Sequence, residues 1–167
     1  VTQNIGAATI NGLELELMAS PGNGWFFEAS LALLDAGYDD IDTSVTLIGK
    51  KFDFERVPET TVSLGVSKEI SLSDLGILTF RADWSYRSET FNDAYNTTLL
   101  ETDSYDLFDA SVRWSNPQDD WTVVLSGRNL TNEEFLVTGV YGTAFQSYEG
   151  TYNRGRQWQL EVRKHFN

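Results

Sequence analysis

Apolar and polar residues alternate along seven segments of this chain, and this alternation limits its fold more than any other feature. Successive side chains of a β-strand point to opposite faces of a sheet, so each segment has one apolar side and one polar side. No segment has a convincing helical period. The sequence therefore predicts an all-β fold of about seven long strands. The apolar rows are, in chain order, Leu13, Leu15 and Leu17; Trp25, Phe27, Ala29, Leu31 and Leu33; Val62, Leu64 and Val66; Leu78, Phe80, Ala82, Trp84 and Tyr86; Phe108, Ala110, Val112 and Trp114; Trp121, Val123 and Leu125; and Trp158, Leu160, Val162 and Phe166.

The connections between these segments alternate strictly between short and long. Residues 21–24, 71–76 and 116–120 form the short connections, and residues 36–58, 88–104 and 130–155 form the long ones. In an antiparallel meander, every second connection lies at the same end of the sheet. One end of this sheet therefore has tight turns and the other has large loops, which is typical of outer-membrane β-barrels. We predict an antiparallel up-and-down meander that forms part of a transmembrane β-barrel.

A soluble β-sandwich explains the alternation equally well, because its two sheets pack their apolar faces together. The positions of the aromatic residues favour the barrel, since a bilayer selects aromatic bands at its two interfaces. Strands of about ten residues also suit a tilted membrane crossing. The aromatic residues beside short connections or the chain end are Trp25, Trp114, Trp121 and Phe166, and those towards the long loops are Trp84, Tyr86 and Trp158.

The side chains that most enzymes and metal sites use are scarce. There is no cysteine, and the single histidine, His165, lies beside the C-terminal end. Paired-carboxylate catalysis stays open because the chain has 25 acidic residues. The acidic cluster of Asp39, Asp40 and Asp42 lacks the ligand spacing of a calcium-binding loop and is interpreted as solvated charge. We predict no enzyme activity, no cofactor and no metal site.

The charge and the strand count carry further expectations. A net charge of −13 with 12 basic residues argues against a nucleic-acid partner. No apolar run reaches the ~18 residues of a transmembrane helix. The only methionine is Met18, and seven strands is an odd number, whereas single-chain bacterial barrels have an even number. We therefore expect this chain to be a piece of a larger barrel, whose charged polar face lines a wide aqueous lumen.

Several motifs resemble those of TonB-dependent receptors. Residues 127–135 (GRNLTNEEF) resemble the penultimate-strand signature of this family, and residues 155–158 (GRQW) open a segment that resembles its final strand. The resemblance covers essentially the whole chain. Further upstream it is carried by residues 11–17 (NGLELEL), Pro21, Gly24-Trp25, residues 33–38 (LLDAGY), residues 58–61 (PETT) and Leu64-Gly65.

The resemblance implies that residues 1–167 are the C-terminal segment of an outer-membrane barrel of about twenty-two strands. The plug domain and the upstream strands of such a receptor lie outside this sequence. The implied function is TonB-coupled uptake of a scarce nutrient, such as a ferric siderophore, across the bacterial outer membrane. The implied partners are outer-membrane lipid, an extracellular small-molecule ligand and the TonB complex, which would engage the missing N-terminal part.

The resemblance also implies an assembly signal in the last strand. Trp158, Leu160, Val162 and Phe166 match the alternating apolar positions of that signal. Lys164 breaks the apolar series, and Asn167 follows the phenylalanine with which the family usually ends.

The last long loop provides the candidate ligand site. Tyr141, Phe145, Tyr148 and Tyr152 are spaced among glycines in residues 130–155, which are expected to lack secondary structure and to hinge at those glycines. These aromatic residues can stack on a ligand, and packing of the loop against its neighbours is an equal alternative. A non-transporting barrel, such as a porin or adhesin, and a soluble carbohydrate-binding sandwich are the alternatives to a receptor.

Overall fold

The computed structural model describes residues 6–42 and 52–166 of the chain. These residues form eleven strands and two short 3-10 turns, Ser73–Leu75 and Thr98–Leu100, and no α-helix. No helix in the described residues is long and apolar enough to cross a membrane. The strands are β1 (Gly6–Gly22), β2 (Trp25–Ile41), β3 (Thr60–Ser71), β4 (Ile77–Arg87), β5 (Thr90–Phe91), β6 (Glu101–Thr102), β7 (Tyr105–Ser115), β8 (Trp121–Arg128), β9 (Leu136–Gly142), β10 (Ser147–Tyr152) and β11 (Gln157–Lys164).

Seven of the strands form one sheet in the order β1-β2-β3-β4-β7-β8-β11. Every neighbouring pair is antiparallel. The remaining strands form two small hairpins, β5-β6 and β9-β10, within the long connections. The predicted meander of seven long strands is therefore confirmed.

The register places the predicted apolar rows on a single face. One cross-strand row runs from Leu17 through Ala29, Leu64 and Trp84 to Phe108. The neighbouring row runs from Glu16 through three serines to Leu107, and it lies on the opposite face. Paired residues of an antiparallel ladder share a face, so the two-residue period of each strand becomes a continuous apolar surface.

Within residues 6–42 and 52–166, no second layer packs on the apolar face. Leu17 is 62% exposed, and Leu160 is 68% exposed. Among the described residues, the buried hydrophobic side chains are Ile41, Leu100 and Leu136, all at the long-loop end of the strands. A sandwich would bury its apolar faces against each other. The sandwich interpretation is therefore wrong for this fold.

Two boundaries differ from the prediction. The hairpin β1-β2 continues well past its apolar rows, to the pair Gly6 and Ile41, so residues 36–41 belong to a strand rather than to a loop. The apolar period ends near Leu13 and Leu33, and it gives no signal for the polar extension beyond them. Of the connection predicted at residues 36–58, residues 43–51 lie outside the described residues.

Candidate functional site

The four aromatic residues of the last long loop lie on a β-hairpin. Residues 130–155 contain strands β9 and β10, so the expectation of a loop without secondary structure is wrong. Tyr141 and Tyr148 are paired across this hairpin, with ring centroids 4.9 Å apart. Phe145 lies in the turn and is 82% exposed, and Tyr152 pairs with Leu136 at the opposite end of the hairpin. The structure thus brings two of the four predicted site residues together and separates the other two from them.

The glycines of this hairpin permit close packing. Gly139 and Gly150 are paired, and a Cβ atom at Gly139 would lie 2.9 Å from the Leu100 side chain. A Cβ at Gly150 would lie 2.6 Å from the Leu136 side chain. The backbone therefore approaches these leucines more closely than a side chain would allow. The expectation that Gly139 and Gly150 act as hinges is wrong, because both are fixed by packing.

Leu100 joins the two small hairpins into one layer. It is 1% exposed and contacts the β9-β10 hairpin at Gly139. The hydroxyl of Thr102 donates to the Leu136 carbonyl at 2.8 Å, and the Asn92 side-chain amide donates to Thr102 Oγ1 at 2.9 Å. Asn92 and Thr102 are both buried. Residues 88–104 and 130–155 are consequently packed and hydrogen-bonded to each other, and this layer positions the hairpin that carries the Tyr141–Tyr148 pair.

The family signature at residues 127–135 forms a turn organised by Asn129. Asn129 is 6% exposed and adopts a φ of 50°, a left-handed conformation that asparagine tolerates better than most residues. Its amide nitrogen donates to the carbonyls of Glu133, at 2.8 Å, and Arg154, at 3.1 Å. Its amide oxygen accepts from the Glu133 backbone at 2.8 Å. One side chain therefore closes the turn after β8 and ties it to the segment that enters β11.

Two further asparagines reinforce this connection. Asn132 accepts a hydrogen bond from the Arg156 backbone at 2.9 Å, and Asn153 accepts one from the Phe135 backbone at 3.0 Å. The aromatic pattern of residues 130–155 gives no signal for these three asparagines. Two of them lie within the motif that carries the family resemblance, and their enrichment in a polar connection was the available signal.

The predicted assembly row lies as expected for three of its four residues. Trp158, Leu160 and Val162 pair with Gly127, Leu125 and Val123 on the apolar face of the edge strand β11. The Trp158 ring lies over Gly127, where a Cβ atom would be 2.9 Å from its Cζ3. Phe166 lies two residues beyond the end of β11 and is exposed. The structure gives these positions, and their role in assembly stays a prediction.

The lysine that breaks the apolar series has a partner on the neighbouring strand. Lys164 pairs with Trp121, and its Nζ lies 4.9 Å from the centre of that ring and contacts the Asp120 carboxylate. Lys68 repeats the arrangement over Trp25, at 5.0 Å, and donates to the Asn23 carbonyl. Both lysines lie at the short-turn end and direct their ammonium groups to turns. Their alkyl chains therefore continue the apolar face while the charge reaches polar groups.

The polar face carries a cluster of three ionised side chains. Arg81 contacts Glu28 at 2.7 Å and Asp83 at 2.6 Å. Gly65 lies between Glu28 and Asp83 in the same cross-strand row, and its missing side chain leaves room for Arg81 to reach Glu28 two strands away. A groove of about 360 Å³ passes over this cluster. The expected pairing of polar-face charges across strands holds here.

The acidic cluster of Asp39, Asp40 and Asp42 lies at the end of β2. Asp39 accepts a hydrogen bond from the Thr9 hydroxyl at 2.6 Å. Within residues 6–42 and 52–166, no group of three histidine, cysteine or acidic side chains is arranged to hold a metal ion.

Comparison with known proteins gives one family match. The family model described as TonB dependent receptor-like, beta-barrel, matches residues 1–130 of the chain. No curated protein sequence matches the chain.

Three of the solved structures that share the fold are receptors. The ferric yersiniabactin uptake receptor FyuA from Yersinia pestis is 20% identical over 98% of the chain, with a TM-score of 0.84. The siderophore receptor PiuA from Acinetobacter baumannii is 22% identical over 96%, with a TM-score of 0.76. The ferric preacinetobactin receptor BauA from the same species is 19% identical over 95%, with a TM-score of 0.71. The chain spans 24%, 22% and 22% of the lengths of these proteins, respectively.

Proposed function

This chain belongs to the TonB dependent receptor-like β-barrel family, and from that premise we propose that it forms part of an outer-membrane receptor. In this proposal, the receptor carries out TonB-coupled uptake of a ferric siderophore. In this proposal, strands outside the chain close the barrel. The apolar face contacts lipid, and the polar face lines the lumen. The long-loop end faces the outside of the cell, and the short turns face the periplasm.

One observation carries the proposal: a single-layered sheet has a continuous exposed apolar face on one side and charged residues on the other. A membrane-spanning barrel wall needs this combination, because lipid contacts one face and water or protein contacts the other. The Trp25–Lys68 and Trp121–Lys164 pairs support it further. Tryptophan and lysine favour the boundary between lipid and head groups, where the ring stays in contact with apolar groups and the ammonium reaches polar ones.

Energised uptake of iron tests this function directly. The full-length receptor would be expressed in a bacterium that lacks its own siderophore receptors, and radioactive iron would be supplied as the yersiniabactin or preacinetobactin complex. We expect accumulation that a protonophore abolishes, because TonB coupling depends on the proton gradient. Equal accumulation in cells with and without the receptor for both complexes would contradict the proposal. Accumulation that persists with the protonophore would identify a passive barrel.

The Tyr141–Tyr148 pair is proposed as a ligand contact. Paired tyrosines offer a large surface at low entropic cost, and both rings are exposed. Replacing both with alanine should reduce iron uptake per surface receptor several-fold while the amount of folded barrel is unchanged. Tyr95→Ala is the matched control, because Tyr95 is an exposed tyrosine in another long connection. Unchanged normalised uptake in the double variant would remove the pair from the site and leave a packing role.

A further inference from the structure

Two arginines converge on a small cavity at the long-loop end of the polar face. The cavity has a volume of about 140 Å³. Arg87 is the last residue of β4, and Arg56 lies in the connection before β3. The two residues are in contact, because Arg87 Nη2 donates a hydrogen bond to the backbone carbonyl oxygen of Arg56 at 3.4 Å. The other polar groups of the lining are Thr90, Asn92, Thr102 and Tyr105.

Neither arginine has a carboxylate partner among the described residues. By contrast, Arg81 lower on the same strand contacts two carboxylates within 2.7 Å. Two guanidinium groups beside one cavity repel each other, and a chain with a net charge of −13 has acidic residues in excess to neutralise them. Within the described part of the chain, this pair of cations nevertheless has no acidic residue in ion-pair contact. An anion between the two groups would remove that repulsion.

Both arginines also carry a local energetic cost. The Nε of Arg87 is buried and has no hydrogen-bond partner among the described residues. Burying a polar group without a partner destabilises a fold, especially when the group is charged. Arg56 adopts a φ of 59°, a conformation unfavourable for residues with a Cβ. Its guanidinium is held by a hydrogen bond to Thr138 Oγ1 at 2.8 Å, so the strained backbone and strand β9 together fix its position.

The remaining walls of the cavity are rigid and partly apolar. Tyr105 and Phe135 stack with their ring centroids 3.7 Å apart and their planes within 4°. Asn92 and Thr102 are held by the hydrogen bonds that join the two small hairpins. Fixed walls around two donors reduce the entropy lost when a ligand binds.

We propose that this cavity binds a carboxylate of a small anionic ligand, with Arg56 and Arg87 as the recognition pair. The planar guanidinium presents two N–H groups in the geometry of a carboxylate, and it stays charged at every physiological pH. The proposal rests on the proposed receptor function for its biological setting. It adds the charge class of the ligand and the residues that select it.

Binding of citrate to the purified full-length receptor tests the proposal. Citrate is the carboxylate probe, inorganic phosphate is the alternative anion, and xylitol is an uncharged compound with similar hydroxyl chemistry; each would be titrated by calorimetry. We expect citrate to bind, and xylitol to give no heat. Arg87→Met and Arg56→Asn should each weaken citrate binding about tenfold or more, which is typical for loss of one charge-assisted hydrogen bond. Asparagine is chosen at position 56 because it tolerates the left-handed backbone.

The control is Arg128→Met, because Arg128 ends β8 on the polar face at the same end of the sheet but does not line the cavity. It should change citrate affinity less than twofold. Arg87→Lys keeps the charge without the planar fork, so it should bind citrate more weakly than the native protein even if Arg87→Met does not fold. Absence of citrate binding to the native receptor, preference for phosphate, or an equal loss in Arg128→Met would overturn the proposal. Iron uptake is measured separately, so failure here is distinguishable from failure of the receptor function.

Discussion

Asn129 offers the sharpest test of how the long connections are held. Its side chain makes three hydrogen bonds, two as donor and one as acceptor, in a buried turn. Asn129→Gly removes these bonds and leaves the left-handed backbone of this position unstrained. Each bond contributes about 1 kcal/mol net to stability, so the turn should lose about 3 kcal/mol of local stability in this variant. A local opening equilibrium should therefore shift by roughly 100-fold towards the open form.

Hydrogen exchange of the full-length receptor measures this opening at the affected amides. The Glu133 amide donates to Asn129, and its exchange should accelerate roughly 100-fold in Asn129→Gly, while amides in the middle of β7 keep their native rates. Asn129→Ala should open further, because alanine pays about 1–2 kcal/mol in the left-handed region. Gln146→Gly is the control, since Gln146 has a φ of 50° in the exposed β9-β10 turn and should tolerate glycine. A change below about threefold at Glu133 in Asn129→Gly would refute the assignment of this turn to its asparagine.

Three further predictions follow from the sheet and its ends. Single cysteines at Phe145 and Gln118 test the topology: an impermeant reagent on intact cells should label the first and not the second, and the reverse result would invert the barrel. Phe166→Ser should lower the amount of assembled receptor far more than His165→Ser, since burial of a phenylalanine in lipid contributes roughly 1.5–3 kcal/mol; equal outer-membrane levels would reject the assembly role. The pKa of Asp120 is held below its ordinary value of 3.8 by hydrogen bonds from Lys164 and Asn116. The lowered pKa of Asp120 stabilises the fold above pH 3.8, and this stabilisation is lost as the pH falls through the pKa of the folded state. When the pH is lowered below 3.8, the urea concentration at the unfolding midpoint should therefore decrease more in the native receptor than in Lys164→Met.

The sequence could predict which side chains lie on each face of the sheet, because the two-residue period within each strand separates apolar from polar positions. Leu17, Leu64 and Phe108 belong to separate segments, and the sequence assigns each to an apolar row without reference to the others. The structure then places all three in one cross-strand row. A one-residue slip in any strand would move its apolar side chains to the polar face, so the apolar pattern also restricts the register.

The contents of the long connections could not be predicted in the same way. Strand β9 contains two glycines and packs against Leu100, so its sequence lacks a clear alternation. Arg56 and Arg87 are 31 residues apart, and their meeting depends on how residues 52–59 lie over the end of β4. Lys164 breaks the apolar period within its own strand, and its contacts with Trp121 and Asp120 become apparent only when β8 is placed beside β11.

The two halves of this molecule are therefore stabilised by different means. The sheet exposes its apolar face, so in the proposed outer-membrane receptor the hydrophobic contribution to its stability depends on contact with lipid. The long-loop end contains the buried leucines Leu100 and Leu136 and a dense set of asparagine hydrogen bonds, and these contacts need no membrane. Substitutions in the apolar rows should consequently act on insertion. Substitutions at Asn92, Asn129 or Asn153 should act on the shape of the loops that carry the proposed ligand contacts, and the two effects should be separable in the same receptor.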